Sequence, residues 1–148
     1  MSQGLWVLVT ALLLATCFGC WRALRDGRFR GSGRPAPAVG GEQTEQVSVL
    51  GRLGHELGER ATLLQFSSAF CAPCRATRRV LADVAGAVPG VAHVEVDAEE
   101  HLDLVRHLGI ARTPTTLVLD AQGREISRAS GAPSKAEVLA TLDSALTP

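Results

Sequence analysis

The 148-residue sequence has no net charge: fifteen Lys and Arg are cancelled by fifteen Asp and Glu. Without a basic surplus there is no electrostatic footprint for nucleic acid or another polyanion, and that class of partner is set aside. Internal repeats are absent too, so solenoid and propeller arrays are excluded. The length suits one domain with an appendage. Charge is missing altogether from Ser2 to Trp21. A helix of that length reaches about 30 Å, the thickness of a bilayer's hydrocarbon core. Trp6 and Trp21 fall near its ends, where interfacial aromatics belong. No basic region precedes this apolar run, as a cleaved secretory signal requires, so residues 1–21 read as a retained transmembrane anchor. The stretch Leu14–Cys17 loosely resembles a lipoprotein cleavage box, but Thr16 stands where a smaller residue is usual. The basic residues come afterwards: Arg22, Arg25, Arg28, Arg30 and Arg34, against the single acid Asp26. Basic flanks stay in the cytoplasm, which predicts a single-pass chain with its N-terminus outside and the remainder inside.

Residues 22–45 almost lack large apolar groups and are rich in Arg, Gly and Pro, the composition of a flexible linker. From residue 46 to 148 the pattern is that of a globular domain. Val47, Leu50, Leu53 and Leu57 have helical spacing, weakened by Gly51 and Gly54. Thr62–Phe66 is a short apolar run suited to a buried strand. Val80, Leu81, Val84 and Val88 mark one face of a helix that begins near Cys71 and ends at Pro89-Gly90. Val91–Val96 is a second strand. Leu102, Val105 and Leu108 make a short helix closed by Gly109. Thr115–Asp120 forms a third strand, and Asp120–Gly123 turns it into a returning hairpin strand. Ser134 and Glu137 form a capping box for a last helix with Val138, Leu139, Leu142 and Leu146 inward. Strands separated by helices imply parallel pairing, with an antiparallel edge from the hairpin. The fold class is α/β with a mixed central sheet.

The chemistry concentrates in "SSAFCAPCRATRR", Ser67–Arg79. As a staple, Cys71–Cys74 would close a loop worth only about 2 kcal/mol before strain. As half of a zinc site the pair needs two more ligands, and only His101 and His107 offer themselves. Six residues apart on a helix, their rings point about 120° from each other, so both read as solvated residues. A redox dithiol explains more. The pair follows a strand and opens a helix, where unpaired amides and the helix dipole stabilise a thiolate at Cys71. Cys74 lies almost one turn behind it, close enough to bond and less exposed. Pro73 fits a first helical turn, where its missing N–H costs nothing. One thiolate attacks and the second resolves. Arg75, Arg78 and Arg79 read as a solvated helix face, with steering of acidic partners as the alternative. A second Cys-x-x-Cys, Cys17 and Cys20, lies within the anchor, where cysteine acts as a small apolar residue.

The segment "RTPTT" adds Thr113-Pro114 directly before a strand: either a cis bond that presents backbone to an extended substrate, or an ordinary proline at a strand's first residue. The cysteine loop after a strand, "VEVDAEE" about twenty residues on, "GIARTPTTLVLDAQG" after that and a final amphipathic helix together resemble the thioredoxin superfamily. The resemblance covers about residues 47–148. It implies a thioredoxin-like fold, a central sheet flanked by helices, with Cys71 as nucleophile, Cys74 as resolving thiol and Pro114 as a cis-proline beside them. Phe70, Ala72, Pro73, Thr113 and Pro114 would contact substrate.

Three departures from that family's pattern stand out. Phe70 stands where thioredoxins carry Trp, and Ala72 replaces the Gly between the cysteines. Gln65 occupies the place of a buried Asp that helps deprotonate the resolving cysteine, and His93 that of its neighbouring Lys. A neutral amide cannot take a proton as a carboxylate does, which leaves water or His93, through a Gln65–His93 relay. The expected protein is a membrane-tethered thiol–disulfide oxidoreductase needing no metal or organic cofactor. Its partners would be protein disulfides and an electron donor. In the cytoplasm it would act as a reductase; facing outside, it would resemble anchored proteins of cytochrome maturation or disulfide formation. A non-catalytic peptide-binding or chaperone module on the same fold is the alternative from another class.

Overall fold

The computed structural model describes residues 3–25, 27–31 and 54–146. The charge-free segment is a single helix, α1 (Gln3–Arg25), long and apolar enough from Gly4 to Trp21 to cross a membrane. Every side chain described in it is exposed. A three-residue strand, β1 (Phe29–Gly31), follows almost at once. Then come β2 (Ala61–Ser67), α2 (Ala72–Ala87), β3 (Val91–Asp97), α3 (Leu102–His107), β4 (Thr115–Asp120), β5 (Glu125–Ser130) and α4 (Lys135–Leu146). The helix expected around Val47, Leu50 and Leu53 lies outside the described residues. Leu57, its last member, sits in irregular chain and packs on the core as a partly buried residue.

The strands form one mixed sheet in the order β1-β5-β4-β2-β3. β2 and β3 are parallel, as the intervening helix implies, but β2 and β4 are antiparallel, which corrects the expected parallel pairing. The reason is helix length. The 16 residues of α2 rise about 24 Å and carry the chain back to the start of the sheet. The 6 residues of α3 rise only about 9 Å, less than a strand's length, so β4 enters at the end where β3 left. α3 closes with Gly109 in the left-handed region (φ 61°), where Gly109 N donates to Arg106 O and Ile110 N to Val105 O, a Schellman stop.

Alternation along the strands sorts the core into two layers. Leu64, Phe66, Val94, Val96, Leu117 and Leu119 face α3. Ala61, Leu63, Val91 and Val118 face Leu81 and Val84 of α2 and Val138 and Leu142 of α4. Each fully buried leucine contributes about 1.5–3 kcal/mol. Leu139, expected inward, is 38% exposed, because α4 offers only a narrow seam through Val138 and Leu142.

One element was not foreseen. Residues 29–31, inside the segment read as linker, pair antiparallel with β5 in the register Phe29↔Ala129 and Gly31↔Ser127. Phe29 packs on the α2–α4 core layer. The turn into β1 is fixed by Gly27, whose N–H donates to Ser130 O. Its φ of +82° and the 2.3 Å that an added Cβ would leave to Ala132 O admit no side chain.

Candidate active site

β2 ends at Ser67, the chain turns through Ser68–Phe70, and α2 begins with Cys71 as its N-cap. Cys71 and Cys74 form a disulfide, with S–S 2.06 Å and Cα–Cα 5.2 Å. The Cys74 N–H points at the Cys71 sulfur from 3.1 Å. Ala72 and Pro73 occupy the first helical turn and are exposed. The two cysteines are unequal: Cys71 is half-buried, whereas Cys74 is 1% exposed. When the disulfide opens, one sulfur meets solvent at a helix N-terminus with an amide donated to it, and the other stays inside.

Phe70 stands beside the pair with its ring 98% exposed. A fully exposed phenyl ring is poorly placed for stability and well placed for contact with a partner. The Thr113–Pro114 bond is cis. The hydroxyls of Ser68 and Thr113 hydrogen-bond at 3.1 Å, joining the cysteine turn to the segment that precedes β4. The substrate-contact residues expected from sequence thus gather at one end of the sheet, around the disulfide.

Beneath Cys74 the sheet changes character. Lower on this face Ala61, Leu63 and Val118 are apolar; above them come Gln65, Ser67, Glu95 and Thr116. Gln65 is fully buried, and its Nε2 donates to the Cys74 carbonyl at 3.0 Å and to Ser67 Oγ at 2.8 Å. Its Oε1 therefore accepts, and His93 Nε2, 3.2 Å away, carries the hydrogen. Ser67 Oγ donates to Glu95 Oε1 at 2.6 Å, and Arg78 closes on the same carboxylate. The bonds run in one direction, from His93 through Gln65 and Ser67 to Glu95. Burial pushes His93 below the ordinary imidazole range, with the Glu95 charge opposing that and Arg78 reinforcing it. For Glu95, burial pushes upward, but hydrogen bonds from Arg78 and Ser67 and the charges of Arg78 and His93 outweigh it, leaving the carboxyl below its usual range.

Gln65 and His93 are brought together, as the sequence suggests, yet His93 Nε2 is a donor committed to Gln65. Ser67 and Glu95 were not singled out from sequence, and Arg78 is an anchored ion-pair partner as well as an exposed helix residue. The available signal was alternation: Gln65 and Ser67 on β2, and His93 and Glu95 on β3, are polar on the face where apolar residues would be expected. A cavity of about 540 Å³ opens over this row, lined by Ser67, Cys71, Cys74, Arg75, Arg78 and Glu95 among others.

A pair of cysteines that can close on itself, one accessible and one sheltered, defines a thiol–disulfide oxidoreductase. Comparisons with known proteins agree. A thioredoxin family model matches residues 54–144. Thioredoxin H2-1 of Oryza sativa subsp. japonica is 30% identical over 108 residues, which are 67% of this chain and 78% of that protein. In fold, thioredoxin NaTrxh from Nicotiana alata is similar with a TM-score of 0.56 at 22% identity, covering 80% of this chain and 100% of its own. Fasciola hepatica thioredoxin has a TM-score of 0.56 at 23% identity, covering 67% and 93%. The chain belongs to the thioredoxin family.

Proposed function

We propose that this protein is a membrane-tethered disulfide reductase in which Cys71 attacks and Cys74 resolves. The observation that carries the reading is the unequal burial of the two sulfurs, with the accessible one capping a helix. In the reduced protein the Cys71 thiolate attacks one sulfur of a substrate disulfide, forming a mixed disulfide and releasing the other sulfur as a thiolate that takes a proton from solvent. Cys74 then loses its proton and attacks Cys71. The protein disulfide forms, and the second substrate sulfur leaves and is protonated. Two electrons have passed to the substrate, and a dithiol or thiol donor must return them.

Phe70, Ala72, Pro73, Thr113 and Pro114 form the contact surface for an extended stretch of the substrate protein. α1 supplies the tether, and the arginines that follow it favour a cytoplasmic domain, where the reducing poise makes reduction the productive direction. Protein disulfide reduction by the full chain in detergent tests the chemistry. Cys71→Ser should abolish turnover, and Cys74→Ser should accumulate a mixed disulfide with substrate. Equal activity of wild type and Cys71→Ser would remove the reading. For the side of the membrane, a reporter fused after residue 40 that is active only outside would place the domain there instead.

A further inference from the structure

We propose that Glu95 takes up the proton that Cys74 must lose before it can resolve the mixed disulfide, with the Ser67 hydroxyl as the bridge. The proposal rests on the dithiol chemistry above and names the base it requires. Cys74 is 1% exposed, so its proton has no open surface to leave from and departs by way of its immediate neighbours. The cavity that reaches it is shared with Ser67 and Glu95. Gln65, fully buried and closest to the cysteine backbone, is an amide with no titratable proton, and its nitrogen already donates to Cys74 O and Ser67 Oγ. His93 Nε2 is engaged as a donor to Gln65, so the lone pair of the neutral ring is on Nδ1, outside this chain of bonds. The hydrogen-bond chain ends on the one group in it that is an acceptor only, the Glu95 carboxylate.

Arg78 sets how basic that carboxylate is. Its side chain is 55% exposed, and an ion pair of that exposure holds with little energy and opens readily. With the pair closed, Arg78 stabilises the ionised carboxylate; with it open, burial remains as the largest influence and makes Glu95 a stronger base. The other groups facing it are Arg75 on the same helix, His93 and Asp97 on β3, and His55 ahead of β2. Glu100 and His101 close the cavity from the turn after β3. In the resolving step, the Cys74 thiol proton passes to Ser67 Oγ as the Ser67 proton passes to Glu95. The Cys74 thiolate attacks Cys71 Sγ, the protein S–S bond forms, and the bond to the substrate sulfur breaks. Glu95 then gives its proton through the cavity to the departing thiolate or to solvent, so electrons and protons balance.

The test separates the two thiol steps by rapid mixing of reduced full chain, in detergent, with excess aromatic disulfide. Cys17→Ser and Cys20→Ser serve as background, because both thiols are free and exposed. The first burst of coloured thiolate reports Cys71 and the second reports Cys74. Glu95→Gln should leave the first burst intact and slow the second at neutral pH by on the order of a hundredfold, with the rates converging in alkali, where hydroxide suffices. Glu95→Asp should recover part of the loss. Arg78→Gln should move the rising limb of the second burst to higher pH. An unchanged second burst and pH profile in Glu95→Gln, or in Ser67→Ala should the first variant not fold, overturns the proposal. A second burst that persists in Cys74→Ser would instead sink the dithiol reading on which it stands.

Discussion

Single residues around Cys74 tie the protein's stability to pH in a stated direction. His93 is held below its ordinary 6.5 by burial, so the unfolded chain binds a proton there at a pH where the folded chain does not. Stability is therefore full above that range and falls as pH drops below about 6.5. Glu95 adds a second loss in the same direction. Its folded carboxyl lies below the ordinary 4.5, so the stability it contributes disappears as pH falls through that lower range. Urea unfolding of the oxidised protein should give a lower midpoint at pH 5.5 than at pH 7.5, and His93→Gln should flatten that difference. A difference of the same size in the variant would assign the effect elsewhere.

At the scale of elements, the structure gives α4 a reciprocal cap. Ser134 Oγ accepts from Glu137 N at 3.3 Å while Glu137 Oε2 accepts from Ser134 N at 2.9 Å, and donation from the Ser134 amide and hydroxyl holds the carboxyl below its usual range. Ser134→Ala should cost about 1 kcal/mol, read as a shift in the unfolding midpoint. This cap was legible in the sequence because both partners lie within one turn. So were the bounds of β4, set by Pro114 before it and the Asp120 turn behind it, where Asp120 Oδ1 accepts from Gln122 N and Arg124 N. The cysteine pair was legible for the same reason: its chemistry is written in a spacing of three. Glu95 and Ser67, and the pairing of Arg78 with Glu95, escaped notice because these groups meet through sheet register and helix placement, across 17 and 28 positions. The direction of β4 was hidden too, since it depends on how far a short α3 can carry the chain.

The whole molecule is organised by where its first strand attaches. β1 carries no alternation that three residues could display, and only its partner β5 makes it a strand. Its anchoring point is testable. Gly27→Ala places a Cβ against Ala132 O in a backbone region that L side chains avoid, and should cost on the order of 1–3 kcal/mol. The loss should come with faster hydrogen exchange at Arg128, the β5 residue between Ser127 and Ala129 whose amide faces β1. Unaltered exchange there would mean that the strand does not depend on that turn.

The same attachment bears on reach. Only three residues separate the end of α1 from β1, a span of about 14 Å from Arg25 to Phe29 even when stretched. The segment from 32 to 53 then joins two parts of one domain and adds nothing to the leash. With α1 in a bilayer, as proposed, the reactive sulfur patrols a thin shell next to the lipid surface, and only proteins that come to that surface can be served.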